Sequence, residues 1–123
     1  MILGIGTDLV ETARLARRLD DRQFLETVFT SAEIKYCLSK GHPEQHLAAR
    51  FAAKEAYMKA LGTGWSKHAD FKEIEVQNSP EGGPLIVLSG ATKRYFDKSE
   101  LKDIFVSLSH TSQHAVAYII ITK

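Results

Sequence analysis

Residues 2–10 alternate strictly enough to predict a strand. Ile2, Gly4, Gly6, Asp8 and Val10 fall on one face, and Leu3, Ile5, Thr7 and Leu9 on the other. The second set carries more apolar bulk, so it is expected to face the core. The first set is left bare by two glycines, and bare backbone lets a ligand or another element come close. A helix is expected next, with Thr12 as N-cap and Leu15 and Leu19 facing inward, then a short helical piece over 23–28. Thr30-Ser31-Ala32-Glu33 has the form of a capping box, with Phe29 and Ile34 placed as its hydrophobic staple. Gly41 and Pro43 should end that helix. Further on, 71–77 alternates as a strand, 78–83 reads as a turn and 85–88 as a short apolar strand. Residues 91–98 fit one or two helical turns, and 104–109 and 115–121 read as strands joined by a turn at 111–113. The class is α+β, with a mostly antiparallel sheet packed against one long helix.

That helix is predicted over 44–61 and ends at Gly62. Leu47, Phe51, Met58 and Leu61 form a heavy apolar stripe, and Ala48, Ala49, Ala52, Ala53, Ala56 and Ala60 cover much of the remainder. A helix that is apolar nearly all round is a buried one. It nevertheless carries Arg50, Lys54, Glu55 and Lys59. Buried charge is costly unless something pairs it. One solution is a Glu55–Lys59 ion pair within the helix, in the favourable orientation. The other involves Asp8. An alanine-faced helix suits a glycine-bare strand, and Asp8 and Glu55 would then repel each other unless a hard divalent cation lay between them. Magnesium takes one or two carboxylates plus waters and phosphate oxygens. Lys59 and Arg50 could meet the phosphate charge that remains.

Composition narrows the setting. The 123 residues fit a single domain, 1–123, in which roughly two thirds of the unfolded chain's surface can be buried. Hydrophobic residues make up 44% and charged residues 25%, and the net charge is +1, so no global field calls for nucleic acid. One cysteine, Cys37, allows no internal disulfide, and neither a signal peptide nor a membrane-spanning run is found. A cytoplasmic enzyme or binding domain is expected, without a membrane partner.

Other motifs fall short. Gly4-Ile5-Gly6 begins like a dinucleotide fingerprint but lacks its third glycine and a second parallel strand with an acidic end. His42/His46 and His110/His114 are each four apart, without a third ligand at zinc spacing, and read as exposed or locally capped. Ser109 and His110, neighbours on a strand, point to opposite faces. Arg14, Arg17, Arg18 and Arg22 form a basic band that is either a solvated face or a dock for an acidic protein. It has no aromatic platform for nucleic acid. The residues alone thus leave three classes open: a transferase, a metal-dependent hydrolase of a nucleotide-like diphosphate, and a non-catalytic binding module.

Three segments together resemble the holo-[acyl-carrier-protein] synthases, the small phosphopantetheinyl transferases: GIGTDLVE at 4–11, RFAAKEAYMKALGTG at 50–64 and VSLSHT at 106–111. The resemblance implies transfer of 4′-phosphopantetheine from coenzyme A to a serine of apo acyl carrier protein, for fatty acid biosynthesis, leaving adenosine 3′,5′-bisphosphate. The family's metal-binding aspartate and glutamate fall on Asp8 and Glu55, and its phosphate-contacting lysine on Lys59; these three are the implied catalytic set. Arg50, Gly62, Ser109, His110 and Thr111 match positions near the cofactor. Arg14 matches a carrier-docking position, to which the band adds Arg17, Arg18 and Arg22. The family is typically a homotrimer with active sites between subunits. Gly83 stands where it often has a basic residue, so no cofactor contact is expected from that side chain. Glu55 is the candidate base for the carrier serine, directly or through a metal-bound water, and His110 is expected to contact cofactor.

Overall fold

The computed structural model describes residues 1–123. The chain runs β1 (Ile2–Glu11), α1 (Thr12–Ala16), α2 (Arg22–Val28), α3 (Ser31–Leu38), α4 (Pro43–Leu61), a 3-10 turn (Phe71–Glu73), β2 (Ile74–Asn78), β3 (Pro84–Leu88), α5 (Gly90–Lys98), β4 (Ile104–His110) and β5 (His114–Thr122). Every strand pairing is antiparallel: one sheet has the order β1-β5-β4, and β2-β3 is a separate hairpin. No helix is long and apolar enough to cross a membrane.

Local signals act where the sequence places them. Thr30 and Glu33 close both halves of the capping box at α3. Pro43 opens α4, where its missing N–H is no loss, and Gly62 closes it in the left-handed conformation, φ 86°. Asp21 caps α2 by accepting from the Phe24 N–H. Thr12 is not the cap of α1. It is the first helical residue, and its hydroxyl donates instead to the Ser112 carbonyl at 2.6 Å, fastening α1 to the β4–β5 turn.

The buried helix is observed as such: twelve of the 19 residues of α4 are buried, including Arg50 and Lys54. It lies across β1 and β5. The contact needs glycine. A Cβ on Gly4 would collide with the Ala60 carbonyl, and one on Gly6 with the Ala56 carbonyl. The glycine face of β1 is therefore the core face, which reverses the expectation from side-chain bulk. Leu3, Ile5 and Leu9 are exposed, the last two by 63% and 67%. On the same outer face, Ile5 pairs with Ile120 and Ile120 with Phe105, while Thr7 pairs with Tyr118. Phe105 and Tyr118 are also exposed. One side of the main sheet is thus an uncovered apolar surface. The other side supplies Val10, Ala115, Ala117, Ile119 and Ile121 to the core.

Candidate active site

Helix α4 presents two rows of charge. Arg50 and Lys54 are four residues apart and stack on one side; Glu55 and Lys59 do the same on another. Going from Arg50 to Glu55 turns about 140° around the axis and advances about 7.5 Å. The rows therefore address different parts of the molecule.

The Glu55–Lys59 row faces β1. Lys59 does not pair with Glu55. Its ammonium donates to an Asp8 carboxylate oxygen at 2.9 Å and to the Thr7 carbonyl at 3.1 Å. Asp8 is mostly covered, with 16% of its side chain exposed, whereas Lys59 reaches it from solvent. Glu55 takes part in none of the ion pairs. Partial burial pushes its carboxyl above the ordinary range, and the charge of Asp8 pushes the same way; Lys59 and Arg14 pull it back. Two carboxylates in each other's field, one only partly neutralised, form a site that could hold a hard cation. Two donors leave most of a cation's coordination sphere open to oxygen from water or phosphate.

Arg14 borders this row, its guanidinium 5.0 Å from the centre of the Phe51 ring. The basic band divides here. Arg18 is held by Asp21 at 2.7 Å and Arg22 by Glu26 at 3.1 Å. Arg14 and Arg17 carry no such partner and are exposed.

The Arg50–Lys54 row faces α3 and the β2–β3 hairpin. Arg50 is 95% buried, lies 4.5 Å over the Tyr36 ring, and leaves its Nε without a partner. It lines a cleft of about 310 Å³ with Tyr36, Glu75 and Gln77. His46, one turn earlier, packs edge-on against Tyr36 and meets the His110 ring at 5.8 Å. Burial and the charge of Arg50 lower the His46 pKa. His110 is on the inner sheet face, two strands from β1, in register with Ala115 and through it with Val10. Two strand spacings make roughly 10 Å. Ser109 faces the opposite side, as strand alternation requires. Thr111 closes the β4–β5 turn, its hydroxyl accepting from the His114 N–H.

The residues singled out from the sequence thus form two groups in one chain. Asp8, Glu55, Lys59 and Arg14 make one, and Arg50 and His110 the other. Gly62 ends α4 just beyond the first group, while Ser109 and Thr111 flank His110. Sequence reasoning missed Tyr36 and read His46 as exposed or locally capped, whereas His46 is half-buried between Tyr36 and His110, a tertiary meeting that no local spacing announces. It also missed the buried Glu33–Lys54 pair, since Glu33 is fully accounted for locally by its capping role. A separate groove of about 370 Å³ between β3, α5 and β4 holds none of these residues.

A model of the 4′-phosphopantetheinyl transferase superfamily matches residues 4–119. A holo-[acyl-carrier-protein] synthase of Ruminiclostridium cellulolyticum is 47% identical, covering 96% of this chain and 90% of its own. The crystal structure of the Neisseria meningitidis holo-[acyl-carrier-protein] synthase is similar with a TM-score of 0.92 at 30% identity, covering both chains fully. That of the Bacillus anthracis synthase, in complex with coenzyme A (3′,5′-ADP), is similar with a TM-score of 0.83 at 36% identity, over 100% of this chain and 99% of that one. The α+β fold with antiparallel sheets is thus shared with solved members, and the chain belongs to the 4′-phosphopantetheinyl transferase superfamily and, within it, to the holo-[acyl-carrier-protein] synthases.

Proposed function

We propose that this chain transfers 4′-phosphopantetheine from coenzyme A to a serine of apo acyl carrier protein, with Mg²⁺ held by Asp8 and Glu55. The observation that carries the reading is that Asp8 on β1 and Glu55 on α4 lie within each other's field, with Lys59 donating to Asp8 at 2.9 Å. The same activity is named in relatives 47% and 41% identical to this chain. Two carboxylates suit Mg²⁺, which keeps waters and substrate phosphate oxygens as its other ligands. Bound there, the cation supplies charge neutralisation on the pyrophosphate of coenzyme A.

The side chains do the rest. The serine oxygen forms a new bond to the phosphorus that carries the pantetheine arm, as the bond to the departing adenosine 3′,5′-bisphosphate breaks. Glu55, directly or through a water, takes the serine proton. Lys59, beside Asp8 and open to solvent, supports the leaving phosphate. Phosphoryl transfer depends chiefly on such positioning and charge stabilisation. Arg50 and His110, with Ser109 and Thr111 beside His110 in sequence, hold the nucleotide end, and Gly62 meets the cofactor from the end of α4 beyond the first group. Arg14 and Arg17 dock the acidic carrier, and Arg18 and Arg22 contribute less because Asp21 and Glu26 already engage them.

The assembly belongs to the same reading. A homotrimer would cover the exposed apolar outer face of the main sheet and bring the Asp8–Glu55 group of one chain towards the Arg50–His110 group of the next. The chain acts as one domain, 1–123, serving fatty acid biosynthesis. A cytoplasmic setting is supported by the free, buried thiol of Cys37.

Intact-mass analysis of apo carrier protein incubated with coenzyme A and Mg²⁺ tests the reading. The carrier should gain one phosphopantetheinyl group. Hydrolysis of coenzyme A with no gain in carrier mass would assign a diphosphate hydrolase instead, and neither change would assign a binding module. Asp8→Ala and Glu55→Ala should each lower transfer by roughly a thousandfold or more while the circular dichroism spectrum is kept. Full activity in either variant would overturn the carboxylate assignment.

A further inference from the structure

One buried ion pair takes no direct part in the chemistry above. Lys54 is fully buried, and its ammonium donates to a Glu33 oxygen at 2.7 Å and to the Phe71 carbonyl at 2.8 Å. It also lies 5.4 Å from the centre of the Phe29 ring. The same Glu33 oxygen accepts from the Thr30 N–H, and the other accepts from the Val76 N–H at 2.8 Å. Four pieces of the fold therefore converge on two side chains: α4 through Lys54, α3 and its cap through Glu33, the 3-10 turn through Phe71, and β2 through Val76.

Such a pair is weak evidence for stability. Desolvating two charges offsets most of their attraction, and apolar replacements of equal volume are often as stable. What a buried pair can supply is register. Helix α4 has need of it. Against β1 it offers the backbone of Ala56 and Ala60 rather than distinctive side chains, so its register rests on the buried Leu47, Tyr57 and Met58 and on whatever fixes Lys54. A shift of α4 would be felt at once on both sides: Glu55 follows Lys54 directly, and Arg50 precedes it by one turn.

We propose that Lys54 and Glu33 form a registry pin that fixes the rotation and axial position of α4, and so aims Glu55 at Asp8. Lys54 is then a positioning residue for the carboxylate pair. The inference rests on the proposed metal site, and one turn of helix carries the effect to the Arg50 cleft as well.

The test is the double variant Glu33→Gln/Lys54→Met, which removes both charges and nearly conserves volume. Three quantities are measured on it and on the wild-type chain: the melting temperature, Mn²⁺ affinity by titration calorimetry in the absence of substrates, and kcat and KM for transfer. The expected result is a melting temperature within a few degrees of wild type, Mn²⁺ binding weaker by roughly tenfold, kcat lower by roughly a hundredfold, and KM for the carrier unchanged. A folded double variant that binds Mn²⁺ and turns over like wild type overturns the pin. So does a double variant that fails to fold, because the pair would then be a stability element. Wild-type chain that neither binds Mn²⁺ nor transfers would sink the functional reading instead, so the two failures are distinguishable.

Discussion

Glu55 is a carboxylate placed where burial and the charge of Asp8 make its own charge costly. Its pKa is raised first by burial and then by Asp8, so the folded chain keeps this proton to higher pH than the unfolded chain does. Between the ordinary value and the raised one the native state binds more protons, so this group makes stability fall as pH rises. Asp21, Glu73 and Glu75 are shifted the other way by hydrogen bonds and add stability as pH rises. The comparison must therefore be between wild type and Glu55→Gln. In metal-free protein, the melting temperature of wild type relative to Glu55→Gln should decline as pH increases above the ordinary carboxylate range. Adding Mg²⁺ should remove the decline in wild type. Parallel curves for the two proteins would show that Glu55 does not carry the shift. The basic band also separates residue by residue. Arg14→Glu should raise KM for an acidic carrier markedly at low salt and less at high salt. Arg22→Glu, at a position already engaged by Glu26, should raise it less. Equal effects of the two would mean that the band acts as a diffuse field.

At the scale of elements, the meeting of β1 and α4 decides whether a site exists. The helix carbonyls of Ala56 and Ala60 occupy the space that side chains on Gly6 and Gly4 would fill. Gly6→Ala should therefore push α4 outward, destabilise the chain by about 1–3 kcal/mol, and lower transfer by separating Glu55 from Asp8. Gly41→Ala is the control, because nothing lies within 4 Å of its added Cβ and its φ is ordinary. A Gly6→Ala protein as stable and active as wild type would remove the close contact from the account. This contact also marks where sequence reading succeeds and fails. The capping box, Pro43, Gly62 and the alternation of β1 are local signals, and each specifies its element without outside help. Asp8 and Glu55 were legible too, because a carboxylate on a bare strand face and another on a buried helix both demand an explanation. Which face of β1 turns inward was not legible. Side-chain bulk pointed to Leu3, Ile5 and Leu9, yet a helix backbone fills the glycine face better than those side chains could fill a core. Lys54 was visible as a buried charge, but its partner Glu33 is 21 residues away and already explained by its cap. His46 and His110 lie far apart in sequence, and only the packing of α4 over the sheet joins them.

The whole molecule raises the question of what the outer sheet face is for. Ile5, Leu9, Phe105 and Tyr118 are each more than half exposed on a single surface. Contiguous exposed apolar surface of this kind is typical of an interaction site. If that surface joins chains around a threefold axis, the contact is heterologous, and each chain offers one half-site forward and the other back. A mixing experiment follows from this. Glu55→Ala and His110→Ala chains, each defective in a different group, are refolded together in equal amounts. With random assembly, about a quarter of the interfaces would join an intact Glu55 to an intact His110 and recover activity. Mixing without refolding should recover none until subunits exchange. Ile5→Asp/Leu9→Asp should yield smaller species by light scattering and abolish the recovery, with secondary structure kept, because those positions lie on the sheet face away from the core. Equal activity before and after co-refolding, with wild-type chain as monomer, would mean that one chain carries a complete site. Arg50 and His110 would then have to reach the same substrate as Glu55 from across their own helix and sheet.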